Sequence, residues 1–283
     1  MRDYVIMSDV NCDIDPAFAE EKGIAIFPQY YHFNDGVIYG DEIKLTPKQF
    51  YERLAKERAY SMGCNPERVH GIMEEALKEG HDIIAIMASS ECSGSYNTVL
   101  TEANELMEQY PGAKIHVVDT LLETVASGML VWMAQDLKEA GKTFEENVEI
   151  LERRKLGCNV YFIIDHLDYL VRGGRLSPLS GAVGSMLQIK PILHFEKGKI
   201  VPLMKCRGRK AAKKQLLEVI AQKKLDPRYF VGAQTECMEE ELEYLAKAKE
   251  LTGAVPLYIG DVSLIIGAHV GPDAIGFAIC EAE

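Results

Sequence analysis

The strongest constraint in this sequence is an unbroken apolar run, Ile83-Ile84-Ala85-Ile86-Met87, with a helical pattern behind it. A strand with one wet face alternates polar and apolar residues. A continuous apolar run marks a strand covered on both faces, as in a parallel sheet. Behind it, Tyr96, Val99, Leu100, Ala103, Leu106 and Met107 recur at helical spacing. Ile115–Val118 repeats the buried-strand signal, and Leu121–Lys138 is helical again. Tyr4–Met7 and Ile24–Phe27 read as further strands. Asp15-Pro16 and Thr46-Pro47 read as helix starts, each a capping residue followed by proline at the first helical position. Strand alternating with helix predicts an α/β fold with a parallel sheet under helices.

The second half follows a different pattern. Val160–Ile164, Tyr229–Gln234, Val255–Ile259 and Ile275–Cys280 read as strands, and Arg209–Gln222 and Met238–Leu251 as helices. Ile189–Phe195 and Ile200–Met204 flank Glu196-Lys197-Gly198-Lys199, a hairpin turn in which Gly198 permits positive φ. This half is expected to be α+β with a mostly antiparallel sheet. With 283 residues the chain accommodates two domains. The expected division is 1–157 and 158–283, after a charged helix over Phe144–Leu156.

Charge and cysteine usage narrow the function. A net charge of −12 argues against a fold-wide nucleic-acid footprint, which selects for Lys and Arg. No apolar run approaches the ~20 residues of a membrane span, and the start lacks the pattern of a signal peptide. The seven cysteines are odd in number, widely spaced and without C-x-x-C. They read as reduced thiols of a cytoplasmic protein rather than disulfides or a zinc site. No H-E-x-x-H or paired histidines suggest a catalytic metal. Gly141-Lys142-Thr143 lacks the first glycine of a P-loop, and no G-x-G-x-x-G occurs. Ser93 lacks the G-x-S-x-G elbow, since Glu91 and Ser95 stand at its glycine positions.

Three polar turns remain. Ser89-Ser90-Glu91-Cys92-Ser93-Gly94-Ser95 lies between a buried strand and a helix, where open α/β sheets bind ligands. Ser93 is expected at or near the helix N-cap, beside free backbone N–H groups and the positive end of the helix dipole. Gly94 would allow close approach, so the turn suits a carboxylate or phosphate. Ser61-Met62-Gly63-Cys64-Asn65-Pro66 is a second turn. Gly267-Ala268-His269-Val270-Gly271-Pro272 reads as a loop between strands. A capping turn, a plain loop and a structural histidine explain each of them separately.

In order along the chain, however, these segments resemble the DegV family of fatty-acid-binding proteins. Ser8-Asp9 with Cys12-Asp13-Ile14 is similar to its opening S-D-S-T-x-D-L, and residues 89–96 to S-S-x-L-S-G-T-Y. Val118-Asp119-Thr120 is similar to V-x-D-S/T, Leu170–Ser177 to L-x-x-G-G-R-I-S, Ile189–Leu193 to I-K-P-I-L, and Gly267–Pro272 to G-x-H-x-G-P. The resemblance implies a DegV-like fold of two domains that hold one long-chain fatty acid of fourteen to eighteen carbons, such as palmitate, between them. It implies carboxylate contacts from Ser61, Ser93 with Gly94, and His269, with no cofactor and no chemistry of the carrier's own. It also implies presentation of the carboxylate to a partner such as a fatty acid kinase, with Arg175 on the partner- or phosphate-facing side. Such a carrier is expected to be a monomer. The T-S-Q-P-S turn has become Ser61–Asn65 here, Cys92 stands for leucine, and Asp273 follows G-P where the family has glycine.

The physics suits that ligand. Burying fifteen methylenes would supply about 12 kcal/mol gross at ~0.8 kcal/mol each, before association costs. Phe27, Phe162–Ile164, Met186-Leu187 and Ile265-Ile266 are apolar residues available to line a tunnel, or to be ordinary core. Lys197–Lys214 is a basic run without acids. It reads either as a solvated face or as a docking surface for a kinase, a nucleotide phosphate or an anionic membrane, with Arg207 and Arg209 foremost. Two other functions stay open: a hydrolase or acyl transferase using Ser93 with His269 as base, and a regulatory module binding small anions.

Overall fold

A computed structural model describes residues 2–177 and 189–282. In chain order the first half forms β1 (Tyr4–Asp9), α1 (Pro16–Lys22), β2 (Ala25–Phe27), β3 (Tyr30–His32), β4 (Ile38–Tyr39), α2 (Pro47–Leu54), β5 (Tyr60–Met62), α3 (Pro66–Lys78), β6 (Asp82–Met87), α4 (Ser95–Gln109), β7 (Ile115–Asp119), α5 (Thr124–Glu139) and α6 (Phe144–Arg154). The second half forms β8 (Cys158–Ile163), α7 (Leu167–Arg172), β9 (Ile189–Glu196), β10 (Lys199–Arg207), α8 (Arg209–Ala221), β11 (Leu225–Gln234), α9 (Met238–Thr252), β12 (Ile259–Asp261), α10 (Leu264–Val270) and β13 (Ile275–Glu281).

The first sheet is parallel throughout, in the order β2-β1-β6-β7. Every residue of β6 is buried. Ile83, Ala85 and Met87 face α3 and α4, while Ile84 and Ile86 face α5, the alternation a strand covered on both sides requires. The second sheet runs β10-β9-β8-β13-β11-β12, antiparallel except for the β11–β12 pair. One of its faces carries α8 and α9. The other shares a core with the first sheet across α5, which is buried along most of its length. A helix apolar around most of its circumference belongs between two layers, and α5 lies there.

The β9–β10 hairpin closes as its sequence suggests. Lys197 and Gly198 both take positive φ, 50° and 82°, the requirement of a type I′ turn. Its tip reaches the first half: Ser89 Oγ donates to the Gly198 carbonyl at 2.8 Å.

Three expectations need correction. Gly267–Val270 belongs to helix α10 rather than to a loop. Ser263 caps α10, accepting from Ile266 N, and Ile265 and Ala268 bury against Phe50 and Tyr51 of α2. The last edge strand is Ile259–Asp261, not Val255–Ile259, because Pro256 has no N–H for the ladder and Val255 is exposed. The helix expected from Leu121 begins at Thr124, since Leu121 and Thr124 take positive φ as the chain leaves β7. The helix after the serine turn begins at Ser95 with Gly94 as its N-cap, which puts Ser93 one residue before the cap, near it as expected. The short antiparallel sheet β4-β3-β5 and helix α7 have no counterpart in the sequence reading.

Candidate functional site

The carboxyl ends of the parallel strands face the inner side of the second sheet, and a cavity of about 390 Å³ lies there. Its walls are mostly apolar: Val160, Phe162, Phe195, Ile200, Ile265 and Ile266 contribute. Of the apolar residues considered from sequence, Phe27 lies instead in the core under α3, and Ile163 and Ile164 also pack into core. Met186-Leu187 lies outside the described residues.

Ser61, Ser93, Gly94, Arg175 and His269 all line this cavity, although they come from separate parts of the chain. Ser61 stands on β5, the edge of the small sheet, and His269 near the end of α10. Ser61 Oγ and His269 Nε2 lie 2.8 Å apart across 208 residues of sequence. Among the described residues, none partners the buried His269 Nδ1. An imidazole in this setting is best assigned its proton on Nε2, donating to Ser61. The Ser61 hydroxyl hydrogen is then free to donate to a ligand. Burial, with the Arg175 and Arg58 guanidiniums adding to it, pushes His269 down to about 4, so the ring is neutral at pH 7.

Ser93 Oγ accepts from Ser95 N at 3.3 Å and donates to Ser95 Oγ at 3.1 Å. Ser95 Oγ in turn accepts from Cys64 N at 3.1 Å, tying the Ser93 turn to the Ser61 turn. This fully buried serine is a linking residue the sequence reading passed over. Gly94, the N-cap of α4, has no side chain to cap it, and the first helical N–H, that of Ser95, is taken by Ser93 Oγ. Ser90 and the backbone N–H of Leu121 bind Asp119 at 2.5–3.2 Å, and so hold the turn from behind.

Gly173 makes room for the histidine. A Cβ at that position would fall 2.3 Å from His269 Nδ1. Arg175 is held by the carbonyls of Cys92 and Gly173, at 3.0 and 2.5 Å. Burial pushes the Cys92 thiol up to about 12, so it stays protonated. Arg207 and Arg209 do not join this group. Arg207 is exposed at the end of β10. Arg209 forks onto Glu240 at 2.6 and 3.1 Å and reaches Asp165 at 3.1 Å. Lys199 and Lys213 of the basic run are likewise paired, with Glu91 and Glu240.

The hydroxyl nearest His269 is therefore Ser61, not Ser93. A Ser-His-acid relay also needs an acceptor behind the imidazole to stabilise the imidazolium, and Nδ1 has none among the described residues. This arrangement is suited to binding an anion with hydroxyl donors.

Buried carboxyls cluster beside the cavity. Burial raises Asp9 to about 6 and Asp13 to about 7 against the donors they accept from. Burial also raises Glu123 well above the carboxylate range, with Asp9 and Asp13 adding to it. These groups favour the folded state when protonated, and their contribution is lost as pH rises through 6 and 7. His269 acts oppositely: its contribution is complete above its ordinary 6.5 and is lost as pH falls toward 4. Three carboxyls outweigh one histidine, so the melting temperature is expected to fall as pH rises from 6 to 8. Scanning calorimetry across that range checks this, and a Tm that rises from pH 6 to 8 would refute it.

Fold and site together define an α/β protein of two main sheets, enclosing an apolar cavity with hydroxyls, a neutral imidazole and a helix start gathered at one end. The sequence matches the model of the DegV family of uncharacterised proteins over residues 3–282, and the chain belongs to that family. A DegV domain-containing protein of Clostridium perfringens is 32% identical over 278 residues, covering 96% of this chain and 95% of its own. The crystal structure of DegV from Bacillus subtilis, described as a fatty acid binding protein, superposes with a TM-score of 0.85 at 27% identity, covering 100% of both chains. A stearic-acid-binding protein from Eubacterium ventriosum shares the fold at a TM-score of 0.89 and 22% identity, covering 98% of each chain. Among the described residues no helix is long and apolar enough to cross a membrane.

Proposed function

We propose that this chain is a cytoplasmic carrier that binds one long-chain fatty acid and has no chemistry of its own. The N-terminal domain (1–157) supplies Ser61, Ser93 and Gly94 to the carboxylate, and the C-terminal domain (158–283) supplies His269 and most of the apolar wall. The observation that carries this reading is the Ser61–His269 pair, 2.8 Å apart, at the polar end of a cavity of about 390 Å³. That volume lies in the range of small-molecule sites. Hydrogen bonds to a charged carboxylate from the Ser61 hydroxyl, and from that of Ser93 once it turns from Ser95 Oγ, would contribute about 1.5–3 kcal/mol each. The fatty acid binding stated for the Bacillus subtilis relative supports the same assignment.

The polar end also adjoins a smaller cavity of about 110 Å³, lined by Arg58, Arg172 and Arg175 as well as Ser61 and His269. Three guanidiniums around it favour an anionic group arriving from outside. This supports presentation of the carboxylate to a partner such as a fatty acid kinase, with Arg175 at the meeting point. Solvent extraction of the denatured protein followed by mass spectrometry tests the carrier reading. About one fatty acid per chain is expected, or stoichiometric uptake of labelled palmitate after delipidation. An empty extract from folded protein that also takes up no palmitate would overturn it. Full competition by inorganic phosphate would favour a small-anion module instead.

A further inference from the structure

The cavity has polar groups that a carboxylate at Ser61 and Ser93 does not use. Gln29 follows β2 and is 3% exposed, and its Nε2 has no hydrogen-bond partner among the described residues. Glu123, just before α5, is 9% exposed, and its Oε2 has no partner among them either. Both residues line the cavity with Asn11 and Thr124. The surrounding bonds hold the patch in place. Asn11 Nδ2 donates to Gln29 Oε1 at 3.3 Å, and Ser263 Oγ donates to Asn11 Oδ1 at 3.4 Å. Thr124 Oγ1 donates to Asp13 at 2.5 Å, and Asp13 accepts from Ser263 N at 2.9 Å.

Helix α10 gives the distance between this patch and the head-group end. Ser263, its N-cap, touches Asn11, while His269 touches Ser61. Six residues of helix separate them, about 9 Å along the axis at 1.5 Å per residue. A straight alkyl chain leaving Ser61 offers nothing to a buried amide donor or a buried carboxyl. Such groups are costly when left unmade, and native interiors rarely keep them so. A hydroxyl has one donor and two acceptor sites. Such a group can accept from an amide donor of the kind Gln29 Nε2 offers and donate to a carboxyl oxygen of the kind Glu123 Oε2 offers. Leu121 and Thr124, both at positive φ, set the backbone that turns Glu123 to this side. Burial among Asp9 and Asp13 favours the neutral carboxyl of Glu123 against the pull of Arg175. A neutral acid is compatible with an uncharged hydroxyl partner.

We propose that Asn11, Gln29, Glu123 and Thr124 form a second polar subsite that binds a hydroxyl on the acyl chain, so that the preferred ligand is a fatty acid hydroxylated at mid-chain. This rests on the carrier reading and specifies its ligand class. The test titrates the delipidated full chain with stearic acid, its mid-chain hydroxyl derivative and the alpha-hydroxy isomer, by displacement of a fluorescent fatty acid. The mid-chain hydroxy acid is expected to bind at least about tenfold more tightly than both others. Gln29→Leu with Glu123→Ala is expected to bring the affinities together, and Glu123→Gln, which keeps hydrogen bonding, to retain the preference. If wild-type protein binds stearic acid as tightly as the mid-chain hydroxy acid, the subsite proposal fails and the carrier reading stands. If none of the three acids binds, both fail. The wild-type comparison decides the matter even if a variant does not fold.

Discussion

The double substitution Ser61→Ala with Ser93→Ala is expected to lower fatty-acid affinity between about a hundredfold and ten-thousandfold. Two hydrogen bonds to a charged carboxylate, at about 1.5–3 kcal/mol each, set that range. The tail contacts remain, so weak binding of the long chain should persist while short carboxylates lose all measurable affinity. The loss exceeds what Ser93 alone would cause, because Ser61 also orients the imidazole across the 2.8 Å contact. Isothermal titration of delipidated protein measures the effect, with the melting temperature of each single variant as a folding control. Ser93 needs that control, since it bonds the buried Ser95 that links the two turns. A double variant that binds like wild type would place the carboxylate elsewhere in the cavity.

Gly173→Ala is the second large effect, and it acts at a distance from the hydroxyls. The added Cβ would sit 2.3 Å from His269 Nδ1, far inside contact distance. The imidazole must turn away, which breaks its contact with Ser61 and disorders the donor set. A fall of about ten- to a hundredfold in affinity is expected, the worth of one charge-assisted hydrogen bond. Gly174→Ala is the control. Gly174 has φ of 75° with open space around it, so alanine there strains the turn without touching the histidine. It should cost about 1 kcal/mol in unfolding free energy and little in binding. Adding His269→Ala to Gly173→Ala relieves the overlap, and is expected to restore stability without restoring affinity. Equal binding losses in Gly173→Ala and Gly174→Ala would show that the loop conformation matters and the clash does not.

Much of the fold was legible because its signals are local. The unbroken run at 83–87 required a strand covered on both faces, and β6 is one. Glu196–Lys199 announced a hairpin because Gly198 permits positive φ, and in the structure Lys197 adopts it as well as Gly198. The errors fall where tertiary packing overrides local pattern. Leu264–Val270 is short and has Gly267 at its centre, so it does not read as a helix, yet packing against Phe50 and Tyr51 and a Ser263 cap make it one. The sheet β4-β3-β5 is built from strands of two or three residues, too short for periodicity to register.

The site divides in the same way. Ser61, Ser93, Gly94 and His269 drew attention as members of polar turns, although Ser61 stands on β5 and His269 on α10, and their proposed joint role came from the order of the motifs along the chain. The use of Gly173 was hidden inside a motif until the histidine appeared opposite it. Gln29 and Glu123 carried no signal: a single Gln or Glu near an element end usually faces water.

By itself the sequence determined most of the longer elements, the parallel character of the first sheet and the hairpin of the second, and it nominated residues to bind an anion. These follow from side-chain periodicity, capping and backbone freedom, all read within a few residues. The tertiary structure alone decided which hydroxyl meets His269, that the imidazole is buried and neutral, that Arg209 is committed to Glu240 and Asp165, and that Gln29 and Glu123 face a cavity. Those properties depend on distance and desolvation between segments far apart in the chain, and neither quantity is encoded in any short stretch of residues.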